Sequence, residues 1–347
     1  MVTLNPDKLK AMPIPLSTGW LIGSCMEAKG KQDLWIRQKP EVIELLREQA
    51  IIQSVESSNR IEGVTIAANR LHPVVLGKSK PRDRSEEELA GYRKALAWIF
   101  SRYRPVSVRP ATIRKLHAMC QGGFSGDAGE WKSKDNEIVE ILRTGERRVR
   151  FVPTSAAETP GELDLLCRNY HAACEIEPLP VLLVISTFVF DLLCIHPFRD
   201  GNGRISRLSA TLLLQSQGFE VSRFISLERL IEERKEEYYE ILGRCSQGWH
   251  EGENEILPWW NYFLSILRQA YREFEEKVTS TERHSAKSDY VRKLICSQVE
   301  QFTLAEISRQ LPSVSSQLIK KILAELKAKG IVALRGRGRG ARWEVVE

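Results

Sequence analysis

The 347 residues carry 51 Lys and Arg against 45 Asp and Glu, a formal net charge of +6, with 42% hydrophobic and 28% charged residues. That is an ordinary soluble, globular composition, enough for two or three domains and a sizeable core without covalent staples. It argues against a membrane span, because the most apolar stretch, Leu179 to Ile195, is interrupted by Pro180, Ser186, Thr187 and Asp191, short of roughly 18 clean apolar residues.

In chain order, residues 1–36 show little periodicity and contain Pro13 and Pro15, which predicts loop and short elements. No basic segment followed by an apolar one marks a secretory signal there. From Lys39 to Glu62 an apolar stripe of Val42, Leu45, Leu46, Ala50, Ile51, Val55 and Ile61 predicts a helix stopped by Gly63. Ser85 is the expected cap of a helix to about Tyr103, with Glu86, Glu87 and Glu88 in its first turn. Thr112–Cys120 reads as another helix. Ile138–Ile141 and Val149–Val152 flank Thr144-Gly145-Glu146, a hairpin signal in an otherwise helical chain.

Helical patterns return at 160–175 and 179–194. Cys167, His171 and Cys174 would share one helix face, but no fourth zinc ligand lies nearby, so they read as packing residues. The seven cysteines are odd in number and scattered, which favours reduced thiols and a cytoplasmic location. A loop from His196 to Gly203 leads into a helix from Arg204 to Gln217. Further helices are expected at Ile231–Leu242 and Pro258–Lys277, the aromatic group Trp259, Trp260, Tyr262 and Phe263 serving packing.

The loop is the informative segment: His196-Pro197-Phe198-Arg199-Asp200-Gly201-Asn202-Gly203-Arg204-Ile205-Ser206-Arg207. Gly201 and Gly203 allow close backbone approach just before a helix N-terminus, where free N–H groups and the dipole attract an anion. Arg204 and Arg207 project on one helix face toward it. Asp200 offers a hard oxygen ligand suited to Mg²⁺, and His196 can act as a base near neutral pH. By contrast, Gly77-Lys78-Ser79 is no phosphate loop, since His72 stands where the first glycine would be needed.

This run resembles the Fic motif, H-P-F-x-[DE]-G-N-[GK]-R-x-x-R, at every defined position, and the resemblance extends over roughly residues 40–275. It implies a mainly helical Fic core with a β-hairpin flap that aligns target segments, and transfer of AMP from ATP to a hydroxyl of a target protein or of the chain itself. By the same resemblance His196 would deprotonate the target Ser, Thr or Tyr. Asp200 would hold Mg²⁺ or Mn²⁺. Gly201, Asn202 and Gly203 would cradle phosphate, Arg204 and Arg207 would contact the β- and γ-phosphate regions, and Phe198 would anchor the loop. Tyr238 and Tyr239 fall where such proteins place a tyrosine near the base. Upstream, Ser58-Asn59-Arg60-Ile61-Glu62-Gly63 matches the Fic inhibitory motif [ST]-x-x-x-E-[GN], which implies that Glu62 pairs with Arg207 and restrains the enzyme.

Thr279–Ser288 is polar and reads as a linker. Beyond it, Asp289–Val299 reads as a helix, Phe302–Leu304 as a short extended piece, Ala305–Leu311 and Ser316–Lys329 as helices, and Ile331–Leu334 with Trp343–Val346 as a hairpin. That order resembles a winged helix-turn-helix. Residues 288–347 hold 11 basic and 6 acidic residues, the footprint of a phosphate-backbone binder. The DNA-contact candidates are Lys320 and Lys321 on the recognition helix and Arg335, Arg337 and Arg339 on the wing, with Gln317, Lys327 and Arg342 beside them.

The expected organisation is therefore an N-terminal region (1–110) with an inhibitory helix at about 40–63, a Fic core (111–278) and a winged helix (288–347). Alternatives are a Fic enzyme that removes AMP or transfers another phosphate-containing group, a DNA-binding regulator with a nucleotide-sensing core, and a non-catalytic interaction protein. A second copy of the chain is a further candidate partner.

Overall fold

The computed structural model describes residues 2–38, 40–77, 79–101, 106–121, 126–141, 147–177, 179–279, 285–296, 298, 301–311, 314–336 and 341–346. The fold is mainly helical. Its order is α1 (Pro6–Ala11), α2 (Leu16–Gln38), α3 (Pro40–Ile61), α4 (Ala68–Val75), α5 (Arg84–Phe100), α6 (Pro110–Gln121), β1 (Ile138–Ile141), β2 (Arg147–Phe151), α7 (Thr159–Cys174), α8 (Val181–Ile195) and α9 (Asn202–Ser216). Then follow α10 (Leu227–Glu233), α11 (Lys235–Cys245), α12 (Leu257–Thr279), α13 (Ser285–Cys296), α14 (Leu304–Gln310), α15 (Ser316–Ala328), β3 (Val332–Arg335) and β4 (Arg342–Val345). Two hydrophobic cores form, one within residues 2–278 and one within 290–345.

Helix α8 is the axis of the larger core. Nearly every side chain along it is buried, and α7, α9 and α12 pack around it. Its apolar run is thus a buried helix, and none of the described helices is long and apolar enough to cross a membrane. The tryptophans of α12 fix it there: Trp259 Nε1 donates to Ser186 O and Trp260 Nε1 to Thr187 Oγ1, each at 2.8 Å. Asp191, buried on α8, accepts from Thr3 N at 3.0 Å, Leu4 N at 2.7 Å and Trp249 Nε1 at 2.8 Å. Burial pushes its carboxyl up to about 6. Asp191→Ala would strand three buried donors, so it is expected to cost about 3 kcal/mol or more, read as a lower urea midpoint. An unchanged midpoint would show that these donors find other partners.

Several local expectations need correction. Residues 1–36 are not loop: α1 and α2 occupy most of them. The period was hidden because α2 has apolar residues on two faces. Cys25 and Trp35 are buried, with Thr18 Oγ1 donating to Asn261 Oδ1 of α12 at 2.8 Å, while Leu16, Trp20, Met26 and Leu34 are exposed. Gly19, Gly23 and Gly30 add to the blur. The cap of α5 is Asp83, not Ser85; its side chain accepts from Glu86 N at 2.9 Å. The helix ends at Phe100, and 102–105 lie outside the described residues. The single helix expected at Ile231–Leu242 is two, α10 and α11. Arg234 breaks them at φ −120°, ψ 35°, and is pinned by Glu237 and by Ser265 Oγ at 2.8 Å. Helix α4 had no sequence counterpart.

The hairpin β1–β2 is antiparallel, with a register irregularity between Ile138 and Val139. Its turn, Thr144-Gly145-Glu146, lies outside the described residues. In the C-terminal unit, Ser315 caps α15, and β3 pairs with β4 antiparallel. Phe302 joins that hairpin through reciprocal backbone bonds to Trp343.

Candidate active site

Helix α8 ends at His196 and α9 starts at Asn202, so the loop between two buried helices is held at both ends. His196 is a left-handed C-cap, φ 51° and ψ 61°, with its N–H on Leu192 O at 3.1 Å. It is the one non-glycine residue at positive φ among the described residues, a conformation that costs about 1–3 kcal/mol and gathers at functional sites. The imidazole Nδ1 lies 3.3 Å from Leu193 O, which favours the proton on Nδ1 and leaves Nε2 as acceptor. Burial, reinforced by nearby Lys132, pulls the imidazole pKa down to about 4, so the ring is neutral at neutral pH.

Phe198 fills the core beneath the loop, stacked on His117 at 3.7 Å and tilted against Trp131. His117 accepts Gly129 N–H at Nδ1 (2.8 Å), so its Nε2 carries the proton toward Asp200 O at 3.2 Å. Asn202 is placed differently from a phosphate ligand: its side chain accepts from Phe198 N (2.9 Å) and donates to Phe198 O (2.8 Å), closing the loop. What remains for an anion is the backbone. The first-turn N–H groups of α9 have no intrahelical acceptor, and the dipole is positive there.

The two arginines are held apart by different acids. Arg204 Nη1 meets Glu88 Oε2 of α5 at 2.6 Å, both buried, and Arg204 Nη2 lies 3.8 Å from Asp200 Oδ1. Arg84 bridges Glu88 Oε1 (2.8 Å) and Asp200 Oδ2 (2.6 Å). Arg207 Nε donates to Ser58 Oγ and Nη2 to Ser58 O, each at 2.9 Å, and Nη2 also reaches Glu62 Oε1 at 2.7 Å. Glu62 thus lies against the first turn of α9. A Cβ on Gly203 would overlap its carboxylate, so glycine is required for that approach. Gly63 follows at φ 79°, ending α3.

His196, Gly203, Glu62, Tyr238 and Tyr239 line one cavity of about 450 Å³ together with Ile138, Val139, Arg150 and Phe151 of the hairpin. Arg150 Nη2 donates to Tyr239 O and its guanidinium lies over the Tyr239 ring, so the hairpin is tied to α11 beside the cavity. An ATP phosphate fits this setting on two counts. Arg207 Nη1 is buried without a partner among the described residues, and a Cβ on Gly203 would stand 3.2 Å from it. Asp200 is half exposed, with Gly201 N–H on Oδ1 at 2.6 Å. One carboxylate completed by water and phosphate oxygens suits Mg²⁺, provided Arg84 yields Oδ2.

Sequence reasoning did not find Glu88, Arg84, His117, Lys132 or Asn136. Glu88 was visible only as first-turn charge on a helix; the others carry no local signal. Lys320 and Lys321 lie on α15 and Arg335 on β3, in the C-terminal unit. Lys320 and Lys321 are exposed on α15, whereas Arg335 pairs with Glu344 at 2.7 Å. Arg337 and Arg339 lie outside the described residues.

Comparison with known proteins agrees with this geometry. Residues 107–214 match the Fic/DOC family model. "Protein adenylyltransferase Fic" of Nematostella vectensis is 24% identical over 208 residues, 58% of this chain and 44% of that relative; the match thus spans less than half of its length. Among solved structures, a Fic family protein from Desulfovibrio desulfuricans aligns at TM-score 0.62 and 20% identity, over 99% of this chain and 98% of that one. A Fic domain containing signaling protein from Bacteroides thetaiotaomicron aligns at TM-score 0.60 and 23% identity, over 74% of this chain and 96% of that one. At these identities the structures speak for the fold.

Proposed function

We propose that this chain, which carries a Fic/DOC family domain, is a protein adenylyltransferase: it moves AMP from ATP to a Ser, Thr or Tyr hydroxyl of a target protein or of itself, under restraint by Glu62. The observation that carries the reading is that His196 and the first turn of α9, with Glu62 against it, line one cavity together with the β1–β2 hairpin. The relative's name supports the same chemistry.

In this reading the target hydroxyl oxygen attacks the α-phosphorus, its proton passes to His196 Nε2, and pyrophosphate leaves. The first-turn N–H groups of α9 and Arg207 hold the phosphates, and the arrangement works mainly by positioning and charge stabilisation. Incoming phosphate charge also favours the imidazolium that proton transfer creates, offsetting the burial that holds His196 neutral beforehand. A Mg²⁺ on Asp200 would supply charge neutralisation at the phosphates. Glu62 competes with phosphate for Arg207 and for the helix N-terminus. Pyrophosphate release coupled to protein modification tests the reaction class. Release of inorganic phosphate, or removal of AMP from a modified protein, would assign one of the alternative Fic outcomes.

A second reading concerns residues 288–347, taken as a winged helix that binds duplex DNA. It is favoured by Lys320, Lys321 and Lys327, all exposed on α15, with Lys320 and Lys327 two turns apart on one helix face and Lys321 flanking them. Arg335 and Arg342 make only exposed contacts, to Glu344 and to Gln301 O and Glu306, which a phosphate can replace at little cost. Replacing Lys320 and Lys321 together by alanine is expected to weaken duplex binding and lower the salt slope by about 2. A slope unchanged by the substitution would point to a protein-contact role.

A further inference from the structure

Residues 131–136, just ahead of β1, grip the His196 loop from outside. Lys132 N donates to Pro197 O at 2.9 Å, and Lys132 Nζ donates to Ile195 O at 3.2 Å. Asn136 Nδ2 reaches Phe198 O at 3.4 Å, while Asn136 Oδ1 accepts from Lys132 Nζ at 2.9 Å. Trp131 covers Phe198, the two ring centroids 5.1 Å apart. One six-residue segment therefore holds the three carbonyls that surround His196, the residue whose backbone is in the left-handed region.

We propose that Lys132 is a positioning residue for His196: its ammonium and its backbone N–H fix the chain on both sides of the imidazole, keep the ring aimed into the cavity, and tie that aim to the root of the β1–β2 hairpin. The ammonium sits at the C-terminal end of α8, where the helix dipole favours a cation. It is buried and its hydrogen bonds go to Ile195 O and Asn136 Oδ1, so its effect on the reaction runs through the His196 loop. Burial lowers its pKa to about 8, which leaves it mostly charged at neutral pH. A buried, partly desolvated ammonium is costly unless its donors are used, and both its bonds go to this loop and its strap.

The proposal rests on His196 being the proton acceptor, and the test separates the two. In the full chain carrying Glu62→Gly, Lys132→Met keeps side-chain length and removes the ammonium donors. It is expected to lower kcat about 100-fold, as for an ångström-scale misplacement of a reacting group, with the KM for ATP and nucleotide binding unchanged. Lys132→Arg is expected to restore most of the loss. Asn136→Ala should lower kcat in the same sense, and it carries the test if Lys132→Met does not fold. Unchanged kcat in these variants, a loss of kcat matched by loss of nucleotide binding, or no recovery with arginine would overturn the role of Lys132. If His196→Asn in the same background retained transfer, the reading of His196 would fall, and the proposal with it.

Discussion

Glu62→Gly is expected to raise ATP-dependent self-labelling by roughly 10- to 100-fold. The size follows from the bond removed: a charge-assisted hydrogen bond is worth about 1.5–3 kcal/mol, and 1.4 kcal/mol is a factor of ten. The carboxylate both ties up Arg207 Nη2 and lies against the first turn of α9. Its removal frees a cation and a positive helix end for the terminal phosphates. Arg207 keeps its two bonds to Ser58, so the arginine stays oriented and the fold is not put at risk. Glu62→Gln, which retains shape without charge, should fall between wild type and Glu62→Gly. Equal labelling of wild type and Glu62→Gly across ATP and Mg²⁺ concentrations would mean that Glu62 does not restrain the site.

The second large effect is at His196. Its replacement is expected to reduce transfer about 10²- to 10⁴-fold, the range for losing a positioned general base, while nucleotide still binds through α9 and Arg207. The choice of residue matters because the position has φ 51°. Alanine there adds backbone strain of about 1 kcal/mol or more, whereas asparagine adopts the left-handed region readily and isolates the chemistry. Transfer that survived His196→Asn would assign the proton elsewhere.

How much of this was legible in the sequence depended on whether the signal was local. The twelve residues from His196 to Arg207 form two helix ends and the turn between them, so composition and spacing display the site directly. The hairpin at 138–151 was legible because alternation stands out in a helical chain. The residues that hold the site are not local. Glu88 reaches Arg204 across 116 positions, and Lys132 reaches Ile195 across 63. Only the packing of α5 and of the strap onto the loop brings them in. Asn202 shows a different limit: the side chain closes the loop on Phe198, so any part it has in an anion site is left to its backbone N–H, which residue type does not reveal. Helix α2 escaped notice because a helix apolar on two faces has no single stripe to detect. The net charge also gained a location: residues 288–347 contribute +5 of the +6, and residues 1–287, which hold the candidate site and its arginines, are close to neutral.

The most direct test of the central claim is the intact mass of the Glu62→Gly chain after incubation with ATP and Mg²⁺, beside the Glu62→Gly, His196→Asn chain treated identically. The account predicts an added AMP on the first and none on the second. Addition of a bare phosphate, or equal addition to both chains, would contradict it.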